Sequence, residues 1–390
     1  MPRQRLTIIP SVPLWKDGDS LLFDRKFYDG LAMYGQYWTG DLACILSSSK
    51  SELPAFGLVT KKHEDLPFKC TVLDEGELVT SEHLRGTSIV LASADASDQL
   101  HLSALCRRLG IKCIYVIEYV PETRYQIASL STRNPLIRLR RLFYIWNEER
   151  RRRAAFRVCD GLQSNGTAAY REYESVENKL LYFDTRVRGK DIITDAKLEE
   201  RLSVLARGTA LRLAFSGRLI RMKGADHLIR LAGVLNQRQI RFHLTIYGSG
   251  DLEGEMRKDI QRNALEGKVA MPGAVDFYDR LLPDLKEKID LFVCLHRQSD
   301  PSCTYLETLS CGIPIVGYAN RAFAGLMEIS KVGWEAGLDD VAGIAALIEG
   351  LDKRRAEIAE MSRSCVAFAR HHDFETTFRN RANHLLSQLG

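Results

Sequence analysis

The chain has 390 residues, of which 45% are hydrophobic and 27% charged, with a formal net charge of +5. That length exceeds what one hydrophobic core usually serves and points to two domains, and the balance is that of an ordinary globular protein rather than a disordered or fibrous one. The mild charge argues against a dedicated nucleic-acid binder, nine scattered cysteines without a Cys-x-x-Cys pair argue for free thiols and no metal site, and no run of about 18 apolar residues is present to span a membrane.

The chain opens Met1-Pro2-Arg3-Gln4-Arg5-Leu6-Thr7-Ile8-Ile9-Pro10, which lacks the apolar core and cleavage site of a signal peptide, so a cytoplasmic location is expected. Residues 6–9, 42–46, 88–92 and 111–117 read as strands and 97–109 as a helix. Strands alternating with helices imply a parallel sheet. The first strand leads into Pro10-Ser11-Val12-Pro13-Leu14-Trp15-Lys16-Asp17-Gly18 and not into Gly-x-Gly-x-x-Gly, which disfavours a dinucleotide-dependent oxidoreductase. No cofactor is expected.

Residues 133–157 carry Arg138, Arg140, Arg141, Arg150, Arg151, Arg152, Arg153 and Arg157, interleaved with Leu136, Ile137, Leu139, Leu142, Phe143, Ile145 and Trp146. The apolar spacing predicts a helix with one face able to bury, and the arginines crowd toward its ends around Glu148 and Glu149. Two readings stand side by side. Either the arginines are solvated or bind internal acids, or the segment from Arg138 to Arg157 makes a peripheral contact with anionic lipid at a membrane surface.

Residues 158–164 suggest a further strand, with Asn165 and Gly166 turning into a helix from Thr167. Residues 188–207 are charged, lack strand signals and read as the approach to a domain boundary near 208. The expected domains are therefore 1–207 and 208–371, with a carboxyl-terminal helix over about 372–390 packing back on the first.

The second half restarts the same rhythm. Residues 211–216 form a strand, Gly217-Arg218-Leu219-Ile220-Arg221-Met222-Lys223-Gly224 its loop, and 225–236 an amphipathic helix. Residues 242–247 form a strand ending in Gly248-Ser249-Gly250, and 269–271 one ending in Pro272-Gly273, before a helix over 281–289. A guanidinium and an ammonium on one loop between glycines can neutralise a diphosphate, Arg218 through paired hydrogen bonds and Lys223 as a point charge. Gly248 lets bare backbone approach a ligand, and His296 ends its strand where it can line the same pocket.

The apolar run Leu291-Phe292-Val293-Cys294-Leu295 leads into Ser299-Asp300-Pro301-Ser302-Cys303-Thr304-Tyr305-Leu306-Glu307, then Gly312 and Pro314. Pro301 and the Ser302 hydroxyl can start a helix, and Gly312 with Pro314 stops it after about three turns. Its mouth lies at a strand's carboxyl end, a place suited to phosphate. Helical spacing turns Glu307 outward beside Cys303, Thr304, Ser310 and Cys311, with Tyr305, Leu306 and Leu309 on the other side. Ser299 and Asp300 can hydrogen-bond a sugar hydroxyl, and Asp300 can equally cap the helix.

The order Gly-Arg-Leu-x3-Lys-Gly, strand-Gly-x-Gly, strand-Pro-Gly and Pro-Ser-x4-Glu-x4-Gly-x-Pro resembles the carboxyl domain of the family-4 retaining glycosyltransferases. It does so over roughly residues 211 to 335, and only in architecture over the first half. The resemblance implies an α/β chain with two tandem Rossmann-like domains, the GT-B fold, facing each other across a cleft. It implies that Arg218 and Lys223 hold the donor diphosphate and stabilise the leaving group, and that backbone amides around Ser302, Cys303, Thr304 and Tyr305 meet the phosphates beside Gly217 and Gly248. Glu307, as second acid of a Glu-x7-Glu motif, would bind the ribose hydroxyls. At the first acid stands Ser299 with Asp300 one place later, so either Asp300 substitutes or the donor sugar is held differently.

The expected activity is metal-independent, retaining transfer of a hexose from a nucleoside diphosphate sugar to a hydroxyl, on a saccharide or lipid-linked saccharide of surface polysaccharide biosynthesis. Without nucleic acid among its partners, the protein would work in the cytoplasm or at the inner membrane face. The alternatives are a sugar-nucleotide epimerase of the same fold and a non-catalytic nucleotide-binding or scaffold homologue.

Overall fold

Seven short apolar segments pair in parallel near the amino terminus of the computed structural model, which describes residues 4–53, 57–130 and 134–389. They are β1 (Arg5–Ile9), β2 (Asp41–Ser47), β3 (Lys69–Leu73), β4 (Ile89–Ser93), β5 (Lys112–Ile117), β6 (Gly161–Asn165) and β7 (Lys179–Tyr182). Their order across the sheet is β7-β6-β5-β4-β1-β2-β3. Every residue of β4 and of β6 is buried, as expected of strands covered on both faces. Residues 1–3 and Arg133 lie outside the described residues.

Where the sequence lacks a glycine-rich loop after β1, the chain builds an antiparallel set from Trp15–Asp17, Ser20–Asp24 and Leu58–Lys62. Trp15 is buried there and its indole N–H donates to the Ser51 carbonyl at 2.9 Å.

The arginine-rich segment is one helix, α1 (Pro135–Phe156), begun by Pro135 and by the Asn134 side chain, which accepts from the Leu136 amide at 3.0 Å. Its two ends differ. Toward the carboxyl end Glu148, Glu149, Arg152 and Phe156 are buried. Arg152 donates to the Ala94 carbonyl at 2.8 Å and to Glu149 at 2.7 Å, while Arg151 meets Glu148 at 2.6 Å and Arg153 meets Glu172 at 2.7 Å. Toward the amino end the expected apolar face is not buried. Leu136, Leu139 and Phe143 are 76%, 66% and 66% exposed, with Tyr144 and Trp146 also open. The spacing that predicts a buried stripe thus instead produces an exposed apolar and basic surface at these residues.

The second sheet contains β8 (Leu211–Ser216), β9 (Phe242–Tyr247), β10 (Val269–Gly273), β11 (Leu291–Cys294), β12 (Ile315–Tyr318) and β13 (Gly333–Ala336), all parallel. Its order is β10-β9-β8-β11-β12-β13. Counting from β8, that is the doubly wound 3-2-1-4-5-6 arrangement, whose order reverses between β8 and β11. The crevice outside the carboxyl ends of those two strands is where such sheets bind ligands.

Around this sheet lie α2 (Asp195–Ala206), α3 (Ala225–Gln237), α4 (Leu282–Lys288), α5 (Cys303–Ser310) and α6 (Arg321–Ile329). The compact units are residues 1–182 with 375–390, and residues 183–374. The expected boundary at 207/208 thus falls inside the second unit. The charged stretch that suggested a linker forms α2, and its Leu198, Leu202 and Leu205 are buried. The final helix, α7 (Phe374–Leu386), returns to the first unit after residue 374. There Phe378 meets the Tyr34 ring edge-on at 5.2 Å, and Arg381 donates to the Gln163 side chain at 2.8 Å.

Candidate functional site

The residues that follow β8 and β11 form the candidate site. After β8 the chain reverses through Gly217, and the Gly217 amide donates to the Tyr247 carbonyl at 3.0 Å. Gly248, at φ +130°, lies so close that a Cβ there would stand 2.0 Å from the Gly217 carbonyl oxygen. Only glycine lets the two strand-end loops meet in this way. Arg218 is exposed on this loop. The turn Arg221–Lys223 then closes on Gly224, at φ +69°, whose missing Cβ would stand 2.0 Å from the Leu295 carbonyl oxygen. The turn carrying Lys223 is thereby pressed against the end of β11.

Lys223 is buried, and its Nζ lies 3.7 Å from Asp300 Oδ2. Asp300 is buried too and accepts from the Gln298 amide. Asp300 therefore does not cap α5; it is the counter-ion of Lys223. Ser299, also buried, accepts the Arg321 amide at 3.3 Å through its hydroxyl. Arg297 ties this loop down. Its amide donates to the Met222 carbonyl at 3.0 Å, and its guanidinium reaches Asp226 at 2.7 Å and Asp339 at 2.5 Å.

His296 lies under the same loop, buried, with neither ring nitrogen hydrogen-bonded among the described residues. Burial, and next the Lys223 ammonium, push its pKa well below the ordinary histidine range, so the ring is neutral. Its backbone carbonyl accepts the Asn320 side chain at 3.0 Å, and the same amide group donates to the Tyr305 hydroxyl at 3.3 Å. Tyr305 is buried and its phenol is pushed up by burial.

α5 is shorter than expected, eight residues or about two turns, before Gly312 at φ +63° ends it. Ser302 holds the N-cap position in extended geometry, but its hydroxyl makes no capping hydrogen bond, contrary to expectation. Cys303 and Thr304 are part-exposed at the helix mouth. Glu307 is not turned out to solvent. It is 6% exposed, because Arg186 covers it with Nε 2.9 Å from Oε1.

Two arginines absent from the sequence-based set support these positions. Arg186 is one. Arg201, on α2, is the other: buried, it donates to the carbonyls of Cys311 at 2.7 Å, Lys286 at 3.1 Å and Gly312, so one cation meets the carboxyl ends of α4 and α5. Burial pulls its pKa down to about 10. Neither residue lies in a motif; long-range pairing alone reveals them.

All nine cysteines are free thiols. Among the described residues, no group of three or more His, Cys, Asp or Glu side chains is placed to hold a metal ion, and no helix is long and apolar enough to cross a membrane.

Residues 197–370 match the family described as glycosyl transferases group 1. A protein of Escherichia coli (strain K12) named for colanic acid biosynthesis, WcaL, is 26% identical over 194 residues, covering 46% of this chain and 45% of that protein. The amylovoran biosynthesis glycosyltransferase AmsK of Erwinia amylovora is 26% identical over 160 residues, 38% of this chain and 37% of its own. The chain thus spans less than half the length of the curated relatives it matches. Anabaena HepE, solved in complex with UDP, superposes with a TM-score of 0.65 at 13% identity, over 98% of this chain and 99% of that one. At that identity the likeness is one of fold. Residues 197–370, which match the group 1 glycosyl transferase family, lie within the second unit of a chain with the GT-B fold.

Proposed function

We propose that the protein is a retaining glycosyltransferase that moves a hexose from a uridine diphosphate sugar to a hydroxyl of a saccharide or lipid-linked saccharide in surface polysaccharide assembly. One arrangement carries the reading: a basic loop after β8 and a helix mouth after β11, brought together where the sheet order reverses. As the bond from the anomeric carbon to the diphosphate breaks, negative charge grows on the departing oxygen. Arg218, Lys223 and the amides of Cys303 and Thr304 meet that charge without a metal; the Tyr305 amide, expected to join them, instead donates to the Ser302 carbonyl at 3.0 Å. The acceptor oxygen bonds to the same face of the sugar, and its proton passes to the departing diphosphate. Asp300 takes the place of the missing first acid at a sugar hydroxyl, and Glu307 receives the ribose. The choice of uridine is supported by the UDP and UDP-glucose complexes of HepE, and the acceptor class by the colanic acid and amylovoran biosynthesis in the relatives' names.

The test is a thermal-shift series with UDP-glucose, GDP-mannose and ADP-glucose, because a ligand bound only by the folded state raises its melting temperature. A rise with the uridine donor is expected, followed by transfer with the donor's anomeric configuration kept in the product, read by NMR. No rise with any nucleotide sugar would overturn the reading. Sugar turnover without an acceptor would make the protein an epimerase.

The acceptor side involves the exposed start of α1. Leu136, Leu139, Phe143 and Trp146 stand open there on the same turns as Arg138, Arg140 and Arg141, and residues 135–147 contain no acid. Apolar side chains among arginines suit the interface of an anionic bilayer on the inner membrane face. We expect the protein to float with liposomes containing phosphatidylglycerol and to stay behind with purely zwitterionic ones. Replacing Arg138 and Arg140 by glutamine should weaken binding by about 2 kcal/mol, roughly 30-fold. Equal flotation with both lipids would leave the surface to some other partner.

A further inference from the structure

Arg186 follows β7 in a segment with no sequence motif, yet it holds the carboxylate on which nucleotide recognition is proposed to depend. Its Nε lies 2.9 Å from Glu307 Oε1 as an ion pair without hydrogen-bond alignment. Its guanidinium carbon stands 5.0 Å from the centre of the Phe277 ring, and its own carbonyl accepts the Tyr278 hydroxyl at 2.9 Å. Backbone and side chain are both fixed, from the turn Phe277–Leu281. Burial works against the Arg186 charge, but Glu307 first, then Cys303, Tyr278 and Asp184 outweigh it, and its pKa is raised.

Two physical facts give the pair a purpose. A buried carboxylate without a counter-ion is costly, and the Glu307 side chain is 9% exposed. A carboxylate also has two oxygens and about four lone-pair sites, and the ion pair with Arg186 is made at 2.9 Å to Oε1. No hydrogen bond to Oε2 occurs among the described residues, and Oε2 is not among the fully buried unpaired atoms. A vicinal diol can use it.

We propose that Arg186 is a positioning residue: by neutralising and orienting Glu307 it leaves Oε2 to accept the ribose hydroxyls, and so sets the preference for ribose over 2′-deoxyribose nucleotides. The inference rests on Glu307 being the ribose ligand. Phe277 acts one step further back, keeping the guanidinium plane in place.

The experiment is calorimetry with UDP and 2′-deoxy-UDP on the wild type, Arg186→Gln, Arg186→Lys, Phe277→Leu and Glu307→Gln, each checked for folding by thermal melting. The wild type should favour UDP about tenfold or more, the usual scale for a hydrogen bond to a charged acceptor. Arg186→Gln should weaken UDP about tenfold and 2′-deoxy-UDP by less than about threefold, so that the preference collapses. Arg186→Lys should restore part of it, Phe277→Leu should lower it in part, and the cost should fall on donor KM rather than kcat. A preference retained in Arg186→Gln but lost in Glu307→Gln would overturn the role of Arg186 and leave the ribose reading intact. A preference retained in both would overturn the ribose reading itself.

Discussion

Arg218→Ala and Lys223→Ala should each lower sugar transfer about a hundredfold, since removing one fixed donor aimed at a developing negative charge costs 10²-fold or more. The two variants differ in what else they disturb. Arg218 is exposed, and its side chain has no hydrogen-bond or ion-pair partner among the described residues. Its loss should leave the melting temperature nearly unchanged, because surface substitutions of this kind stay within about 0.5 kcal/mol. Lys223 is the counter-ion of Asp300 at 3.7 Å, with the two side chains 11% and 9% exposed. Removing it strands a buried carboxylate, at a cost on the order of 3 kcal/mol. Lys223→Ala must therefore be assayed well below its melting midpoint, and Lys223→Met, which keeps the apolar stem, separates lost charge from lost packing. Near-normal kcat/KM in Arg218→Ala and Lys223→Met, measured with donor and acceptor saturating in turn, would remove both residues from the chemistry.

The reliance on these two residues comes from a part of the fold that the sequence makes legible. Residues 211–216, 242–247 and 291–294 are short apolar runs ended by glycine or polar loops, and the doubly wound order follows once they alternate with helices. Local chemistry also placed the loop from Gly217 to Gly224 and the start of α5. What local chemistry does not contain is the identity of the atoms that come from elsewhere. Helical spacing set Glu307 apart from Tyr305, Leu306 and Leu309 and read it as facing outward, whereas it is 6% exposed with Arg186 over it. A periodicity argument cannot see a cover contributed by a distant segment. The same limit hid Arg201, whose stretch looks like a charged linker until its guanidinium is seen against the carbonyls of Cys311 and Lys286. It worked in reverse at α1, where Leu136 and Leu139 have burial spacing and no cover.

Asp300→Asn should separate the two halves of the site, because Asp300 touches Lys223, proposed to meet the diphosphate, and is itself proposed to meet the sugar. The substitution keeps the size of the side chain and its place beside Gln298, and removes only the charge. Without its counter-ion Lys223 is a stronger partner for a diphosphate, so UDP affinity measured by calorimetry should hold or rise. The sugar hydroxyl meanwhile loses a charged acceptor. A hydrogen bond to a charged group contributes about 1.5 to 3 kcal/mol, so transfer from the intact donor should fall roughly ten- to a hundredfold. Ser299→Ala supplies the comparison: its hydroxyl is occupied by the Arg321 amide at 3.3 Å, and its loss should cost less than that of the Asp300 charge. Opposite changes in UDP affinity and in transfer are what distinguish a sugar contact from a support for Lys223. If Asp300→Asn instead weakens UDP as much as it slows transfer, the carboxylate serves to hold Lys223 in place and the donor sugar is bound by other groups.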